Sequence, residues 1–413
     1  MSDAAAMTGA PAWRDLPSHR AWLEAEARAL LEFARGSRLA RGFGWLGDAG
    51  EVLADRPQPL WITARLTHVF ALGALMGQPG CAPLCDHGLQ ALTQDFADPD
   101  HEGWYAELQA GRPSRPDKEA YSFAFVILAM ASATLAGRPS AEAGLAKALE
   151  LVERHFWSED EGACREAWDP AWQTCEPYRG ANANMHMVEA FLAATDARRD
   201  PVWAKRALRI AERLIDRSAR AQAWRVVEHF DAAWTPLPDY NAEARDHPFR
   251  PFGATPGHGL EWSRLLLHLR ASLDAPPAWL LEASRGLFER AVADGWAAPG
   301  GFVYTTDFQG AAVVDRRLHW VVTEAIGAAA ALHEATGEAA YEAWYRDSWD
   351  FADRHLRDRV HGSWRHELDA SLQPIAGTWS GKPDIYHALQ ATLIPRLPLA
   401  GSLAGALAAG GLR

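Results

Sequence analysis

Three histidines lie at one kind of position along the chain, the start of a predicted apolar helix. His186 follows Asn182 by one helical turn, and His258 precedes Glu261 by three residues, so each pair shares a helix face. The third histidine, His387, lies in the segment KPDIYHAL. Because imidazole titrates near pH 6.5, it can both accept and return a proton at neutral pH. Such groups suit proton transfer beside a sugar carbonyl.

The same position in other parts of the chain carries side chains that could hold a sugar. An arginine can stabilise an enediolate oxygen as negative charge develops, and the face of a tryptophan can stack on a sugar ring. The further candidates are Trp61, Arg65, Tyr121, Asn182, Trp320, Glu324 and Asp384. We expect these groups to meet the three histidines above one central cavity.

Other interpretations of these residues stay open at this point. An isolated histidine on a helix is more often a packing residue, and Arg65 and Glu324 could simply pair inside the fold. His258 and Glu261 could be two metal ligands, although the sequence identifies no third ligand. Glu261 and Glu324 could be the paired carboxylates of a glycoside hydrolase, but the histidines would then have no role. Their shared position in successive repeats favours one common site.

The elements that must position these groups form a sixfold repeat. Each unit opens with a Gly, or with an aromatic residue in its place, and continues with a strand pair, a polar loop and an apolar helix. The openings are Gly42, Gly103, Gly162, Trp224, Gly300 and Gly362. They are 61, 59, 62, 76 and 62 residues apart. Units of this length hold two helices each, which predicts an all-α (α/α)6 barrel with six inner and six outer helices and short β-hairpins at one end.

The regular period favours a single catalytic domain over residues 1–413, with peripheral tails at about 1–16 and 400–413. The longest spacing falls in the fourth unit, where the loop PLPDYNAEARDHPFRPFGATPGHG is a candidate lid or wall over the site.

Composition excludes several classes of function. The net charge of −12 disfavours a nucleic-acid partner, and no apolar run is long enough to span a membrane. The sequence contains no phosphate-binding glycine motif, so we expect neither a nucleotide cofactor nor a phosphorylated sugar. The four cysteines are too few and too badly spaced for a zinc site, and the N-terminus lacks a signal peptide. We therefore expect a cytoplasmic monomer or homodimer without cofactor or metal.

Long stretches of the chain resemble the N-acylglucosamine 2-epimerase superfamily of (α/α)6 barrels, and within it the aldose–ketose isomerase branch. The matching stretches are FGWLGDAG, LWITARLTHV, GWYAEL, YRGANANMHMVEAFL, VVEHFDAAWTPLPDYN, FGATPGHGLEWSRLLLH and KPDIYHALQATLIPR. The likeness runs from about residue 18 to residue 399.

The resemblance implies a mechanism with two histidines on opposite sides of the sugar and an assisting third. By motif match, His186 helps to open the ring and His387 moves a proton between C2 and C1 through a cis-enediol. His258 is the acid/base partner, with Glu261 orienting it. No metal takes part.

The resemblance also implies roles for residues that hold the sugar. Arg65, Tyr121 and Asn182 would bind the hydroxyls, and Trp320 would supply a stacking face. These assignments do not establish which histidine performs which step.

Three sequence positions distinguish a sulfosugar substrate from a neutral sugar within this branch. The resemblance implies that the sulfosugar isomerases of this branch hold the sulfonate group with one Arg and two Gln. At the corresponding positions this chain has Pro248, His366 and Pro383. A sulfonate without such partners would leave a charge unpaired, at a cost of several kcal/mol. Arg250 lies close by in the sequence, so weak sulfosugar turnover stays open.

We therefore expect interconversion of D-mannose and D-fructose, with D-lyxose and D-xylulose as a second pair. The alternatives are a sulfoquinovose isomerase, a 2-epimerase of the N-acylglucosamine or cellobiose type, and a carbohydrate-binding scaffold without turnover.

Overall fold

Helices dominate the computed structural model, which describes residues 11–413. In chain order they are α1 (Pro17–Ala34), α2 (Leu60–Leu75), α3 (Cys81–Gln90), α4 (Ala120–Leu135), α5 (Ala141–Leu151), α6 (Ala181–Arg198), α7 (Val202–Ala211), α8 (Pro256–Ala271), α9 (Trp279–Gly295), α10 (His319–Thr336), α11 (Ala339–Phe351), α12 (Tyr386–Leu393) and α13 (Leu403–Ala408). The even-numbered helices from α2 to α12 pack side by side, and α12 returns to α2, which closes an inner ring. The odd-numbered helices from α1 to α11 pack outside it. The predicted (α/α)6 barrel is confirmed.

Burial explains the difference between the two rings. The inner helix α4, AYSFAFVILAMASATL, is buried almost all round, because neighbours cover both of its sides. The outer helix α7 is amphipathic and buries Trp203, Ala207 and Ile210 on a single face. No helix within residues 11–413 combines the length and the apolar character that a membrane crossing requires.

Short strands join each unit to the next. They are β1 (Gln58–Pro59), β2 (Glu107–Gln109), β3 (Arg112–Arg115), β4 (Lys118–Glu119), β5 (Trp157–Ser158), β6 (Ala163–Cys164), β7 (Ala167–Trp168), β8 (Tyr178–Gly180), β9 (His229–Asp231), β10 (Thr305–Thr306), β11 (Ala312–Val314), β12 (Arg317–Leu318) and β13 (Glu367–Leu368). The strand directly before an inner helix pairs antiparallel with a strand of the following unit: β1 with β2, β4 with β7, β8 with β9 and β12 with β13.

Two further contacts complete this circle of strand pairing. Before α8, a single bridge between Ala254 and Thr306 takes the place of a strand pair. Between the last and the first unit, the backbone N–H of Lys382 donates to the carbonyl oxygen of Leu46. All six inner helices therefore begin at the same end of the barrel, beside the hairpins.

The residue that opens a unit occupies a left-handed backbone turn. Gly103 has a φ of 77°, and a Cβ added to it would lie 3.0 Å from the side chains of Phe123 and Trp172. Trp224, the aromatic residue that replaces the glycine in the fourth unit, has a φ of 69°. The repeat seen in the sequence thus reflects a turn that glycine adopts most easily but that Trp224 also adopts.

The C-terminal segment lies at the opposite end of the barrel. Helix α13 packs against α2, α4 and α6. The Nδ1–H of His268, near the end of α8, donates to the carbonyl of Ala400 at 2.6 Å, and Ser402 hydrogen-bonds Asp196 near the end of α6. The chain therefore covers the floor below the inner ring. The single domain over 1–413 with peripheral tails stays a prediction, and residues 1–10 lie outside the described residues.

Buried ion pairs anchor two of the hairpins. In the second unit, Lys118 Nζ lies 2.6 Å from Asp98 Oδ2, and the two side chains are 0% and 2% exposed. In the sixth unit, Lys382 Nζ lies 2.7 Å from Asp358 Oδ2. Each pair ties the segment before an inner helix to the loop that opens the hairpin.

We expect Lys118→Met to destabilise the fold by about 3–5 kcal/mol, because it leaves the Asp98 carboxylate buried without its partner. Urea unfolding followed by circular dichroism measures this loss. The matched control is Lys147→Met, which removes a contact to Glu102 between half-exposed side chains and should change the free energy of unfolding far less. Equal losses in the two variants would contradict the anchoring role.

Candidate active site

A pocket opens where the inner helices begin, at the hairpin end of the barrel. Its walls are Trp61, Arg65, Tyr121, Asn182, His186, Pro248, Phe249, His258, Glu261, His319, Trp320, His366, Trp379, Pro383, Asp384 and His387. The structure thus brings together every site residue predicted from the sequence except Glu324. The cavity volume is about 60 Å³.

A buried carboxylate fixes His258 from behind. Its Nδ1 atom lies 2.9 Å from both carboxylate oxygens of Glu228, which is 3% exposed. The carbonyl of Glu228 accepts the backbone N–H of Ala181, so the start of α6 holds this residue in place. Because Nδ1 is occupied, Nε2 is the atom that His258 can present to the pocket. The predicted role of Glu261 in orienting His258 is corrected here: Glu228 makes that contact.

His387 is held in the same way by a different carboxylate. Its Nδ1 atom lies 3.0 Å from Glu324 Oε1, and Glu324 Oε2 accepts a hydrogen bond from Arg264 Nε at 3.0 Å. Burial alone would raise the pKa of Glu324, but Arg264 and His387 outweigh it and hold that pKa below its usual range. Glu324 was predicted to bind substrate, but it lies behind His387 and not on the pocket wall.

Glu261 lies beside His186. Its Oε1 atom and Oε2 of Glu189 are each 3.7 Å from His186 Nδ1. Burial and the nearby Glu324 raise the pKa of Glu261, which favours its protonated form. His186, Glu189 and Glu261 also offer ligand atoms within 4.8 Å of one another. Arg264 Nη2 lies only 3.8 Å from Glu261 Oε1, so a metal cation there would face a guanidinium group.

Arg65 presents a fixed positive charge to the pocket. Its Nη1 atom lies 3.2 Å from Asp384 Oδ2, and its Nη2 atom donates to the Tyr121 hydroxyl at 2.9 Å. The guanidinium also lies over the ring of Phe125, 4.2 Å from its centroid. Asp384 in turn accepts the backbone N–H of Tyr386 at the start of α12. The guanidinium is therefore oriented before any ligand binds.

The long loop of the fourth unit forms a wall at the pocket mouth. Asn182 donates to the carbonyl of Phe249 at 3.2 Å, and the ring of Phe249 lies edge-on to Trp61, Tyr121 and Trp379. The side chain of the next residue, Arg250, contacts Glu176 and is not part of the pocket wall.

Arg250 is committed to a carboxylate outside the pocket. Its two Nη atoms lie 2.7 and 2.9 Å from the oxygens of Glu176. It lines an outer cleft with a cavity volume of about 760 Å³, which adjoins the pocket and shares wall residues such as Trp61 and Phe249 with it. Arg250 therefore does not supply a cation to the inner pocket.

Two stacked histidines form another part of the wall. The rings of His319 and His366 lie 3.7 Å apart at an interplanar angle of 27°. Burial lowers the pKa of His319 to about 3 and that of His366 well below its usual value. Both imidazoles are therefore neutral at physiological pH and can offer hydrogen bonds without charge.

A repeated spacing in the sequence could have revealed one group of residues that the sequence analysis missed. Glu228 and His366 each lie four residues after the opening of their unit, as does Glu166 in the third unit. The carbonyls of all three accept the first N–H of an inner helix, namely that of α4, α6 or α10. A second ring of equivalent positions therefore faces the helix starts. His319 also shares the helix-start position, because it opens α10 directly before Trp320, and Phe249 lies in the long loop that the sequence marked as a candidate wall. No comparable signal pointed to Trp379.

With this fold and site in place, comparison with known proteins defines the family. The model of the N-acylglucosamine 2-epimerase (GlcNAc 2-epimerase) family matches residues 42–391, and the chain belongs to this family.

Individual relatives narrow the class further. The chain is 54% identical to a D-mannose isomerase of Thermobifida fusca, over 96% of this chain and 98% of the relative. It is 48% identical to a D-mannose isomerase of Pseudomonas cannabina pv. alisalensis, over 96% and 97%. A crystal structure of a D-mannose isomerase superposes with a TM-score of 0.87 at 29% identity, covering 94% of this chain and 99% of that one. The chain is an enzyme of the isomerase class.

Further buried histidines lie below the pocket, at the barrel floor. His68 Nδ1 is hydrogen-bonded to Ser132 at 2.7 Å, and His268 bonds the carbonyl of Ala400. Burial lowers the pKa of each to about 4, as it does for His186.

We expect these histidines to make the fold sensitive to acid. The unfolded chain takes up their protons near pH 6.5, but the folded protein does so only near pH 4, so the free energy of unfolding falls as the pH drops between these values. Each histidine contributes up to about 3 kcal/mol to this loss. In His68→Asn/His268→Asn, whose side-chain amides can replace the Nδ1 contacts, the loss should be smaller. Urea unfolding between about pH 7 and pH 4.5 tests this, and parallel curves for both proteins would contradict it.

Proposed function

We propose that the protein interconverts D-mannose and D-fructose as a metal-independent aldose–ketose isomerase, with D-lyxose and D-xylulose as a second pair. The observation that carries this proposal is the arrangement of His258 and His387. Both line one pocket, and each has its Nδ1 held by a buried carboxylate. The names of the near full-length relatives support the same activity.

The reaction moves one proton from C2 to C1 and another from O2 to O1. His387 removes the proton from C2 through Nε2 and delivers it to C1 of the cis-enediol, while His258 serves the two oxygens. Arg65 stabilises the negative charge that develops on the enediolate oxygen. His186 and the protonated Glu261 lie next to each other and assist ring opening by proton exchange with the ring oxygen and the anomeric hydroxyl.

Contacts elsewhere in the pocket hold the sugar. Asn182 and Tyr121 offer hydrogen bonds to hydroxyl groups, and Trp320 stacks on the sugar. Its ring centroid lies 5.3 Å from that of His258 and 5.9 Å from that of His387. A sugar against this tryptophan is therefore within reach of both histidines.

The charges of the pocket favour a neutral hexose. His319 and His366 are uncharged, Pro248 and Pro383 carry no donor side chain, and Arg250 is paired with Glu176. Arg65, the arginine on the pocket wall, is already paired with Asp384. An anionic substituent beside the two histidines and two prolines would therefore lack a free cationic partner, at a cost of several kcal/mol. This argues against a sulfosugar as the main substrate.

We expect the purified enzyme to convert mannose to fructose, and lyxose to xylulose more slowly. His387→Asn, whose amide can keep the contact to Glu324, should lower kcat/KM by about 10²–10⁴-fold because the base is lost. Carbon-13 NMR identifies the products, and a thermal melt of the variant controls for folding. Glucose as the dominant product would indicate a 2-epimerase, and preferred turnover of sulfoquinovose would contradict the substrate assignment.

We also expect activity to survive removal of metal ions, since proton transfer between histidines needs no Lewis acid. Enzyme dialysed against a chelator and assayed in metal-free buffer should keep its kcat on mannose. Loss of activity that a divalent ion restores would overturn this prediction, and it would direct attention to the cluster of His186, Glu189 and Glu261.

A further inference from the structure

Arg264 lies in α8 behind the pocket and is not one of its wall residues. We infer that Arg264 is a positioning residue that acts through Glu324 and determines which ring nitrogen of His387 is the base. This inference deepens the proposed function and rests on it where the turnover of mannose is concerned. It assigns a role in the reaction to a charge that lies outside the pocket wall.

Arg264 forms ion pairs with two buried carboxylates. Its Nε atom donates to Glu324 Oε2 at 3.0 Å, and its Nη2 atom lies 3.8 Å from Glu261 Oε1. The side chains of Arg264 and Glu324 are each 2% exposed, so salt in the solvent hardly screens their attraction. Within residues 11–413, no other arginine or lysine forms an ion pair with Glu324. Glu324 therefore depends on Arg264 for a permanent positive charge.

Helix α10 has a notch that receives the stem of this arginine. Gly327 lies three residues after Glu324, on the same face of the helix. A Cβ added to Gly327 would lie 3.1 Å from Arg264 Cδ and 2.9 Å from Ile394 Cδ1. Glycine weakens the interior of a helix relative to alanine, but here it leaves the space that the arginine fills. Packing as well as charge therefore holds the guanidinium at the Glu324 carboxylate.

An ionised Glu324 decides where the hydrogen of His387 lies. Burial alone would raise the pKa of Glu324, but Arg264 and His387 hold it below its usual range. Because an ionised carboxylate can only accept hydrogen bonds, the hydrogen in its 3.0 Å contact with His387 belongs to Nδ1. Burial lowers the pKa of His387, so the neutral ring carries this one hydrogen. Nε2 is therefore left bare, as a base.

The other titratable groups packed around this ion pair cannot replace Arg264. They are Glu189 of α6, Glu261 and His268 of α8, and Tyr386 of α12. Three of these groups are acids, and burial lowers the pKa of His268 to about 4, so its imidazole is neutral at physiological pH. The other buried arginine of the site, Arg65, is paired with Asp384.

Loss of the guanidinium would move a hydrogen onto Nε2 of His387. A buried carboxylate without a counter-charge is costly, so a proton would balance it, either on His387 or on Glu324 itself. In Arg264→Met, Oε2 of Glu324 would face an apolar side chain, so a proton on this carboxyl group belongs on Oε1, where it is donated to Nδ1. The hydrogen of His387 then lies on Nε2. In both cases Nε2 can no longer take the proton from C2.

A double-mutant cycle on mannose turnover tests whether Arg264 acts through Glu324. Arg264→Met should lower kcat by about 10²-fold or more, with a much smaller change in KM, because the base is lost while the pocket wall is kept. In the background of Glu324→Gln, whose neutral amide needs no counter-charge, the same substitution should lower kcat by less than about tenfold. Arg264→Lys, which keeps the charge, should recover part of kcat. Equal losses in the two backgrounds would make Arg264 a purely structural residue and overturn the inference.

NMR of protein labelled with nitrogen-15 in its histidines tests the same inference without turnover. At about pH 7, Nε2 of His387 should be bare in the unaltered enzyme and should carry a hydrogen in Arg264→Met, with signals assigned from His387→Asn. The matched control is Arg14→Met, which breaks an ion pair with Glu334 near the other end of α10 and should leave His387 unchanged. A hydrogen on Nε2 in the unaltered enzyme, or a bare Nε2 in Arg264→Met, would overturn the inference. If mannose were not a substrate, the proposed function would fail, but the NMR result would still decide the role of Arg264.

Discussion

The fold and the pocket both depend on one hydrogen bond that recurs between successive units. The first backbone N–H of an inner helix, which has no partner within its own helix, donates to a carbonyl of the next hairpin. The donors Leu60, Ala120, Ala181 and His319 reach the carbonyls of Ala106, Glu166, Glu228 and His366 at 2.8–3.0 Å. This bond brings the side chains of a helix start and of the following hairpin together at the same end of the barrel.

That bond explains why side chains of the site come in pairs, one from a helix start and one from a hairpin. His258 at the start of α8 meets Glu228 from the hairpin of the same, fourth unit, and His319 at the start of α10 in the fifth unit stacks on His366 from the hairpin of the sixth. Neither contact arises within a single helix. The barrel thus supplies the reacting side chains from its inner helices and their partners from the hairpins.

The buried side chains around the pocket include more acidic groups than arginines. The buried carboxylates are Glu189, Glu228, Glu261, Glu324 and Asp384, and the buried arginines are Arg65 and Arg264. Acidic groups outnumber the permanent cations, so protons on imidazole or on carboxyl groups must make up the difference. A site that needs protons for its own stability is well suited to move them on a substrate.

The sequence predicted the features that repeat and missed those that depend on contacts between units. The sixfold period led to the barrel, and the helix starts led to ten residues that line the pocket. Glu324 was misplaced because its spacing along α10 does not show that His387 lies between it and the pocket. Glu228 was missed because only strand pairing places it behind His258. Phe249 belongs to an irregular loop, which no periodic pattern describes.

The most direct test of this account is a crystal structure of the enzyme with mannitol, an open-chain analogue of the substrate. The account predicts that the sugar lies against Trp320, with C1 and C2 within about 3–3.5 Å of His387 Nε2 and with the first two oxygens near His258. A sugar bound only in the outer cleft, or one whose C1 and C2 lie beyond the reach of both histidines, would contradict it.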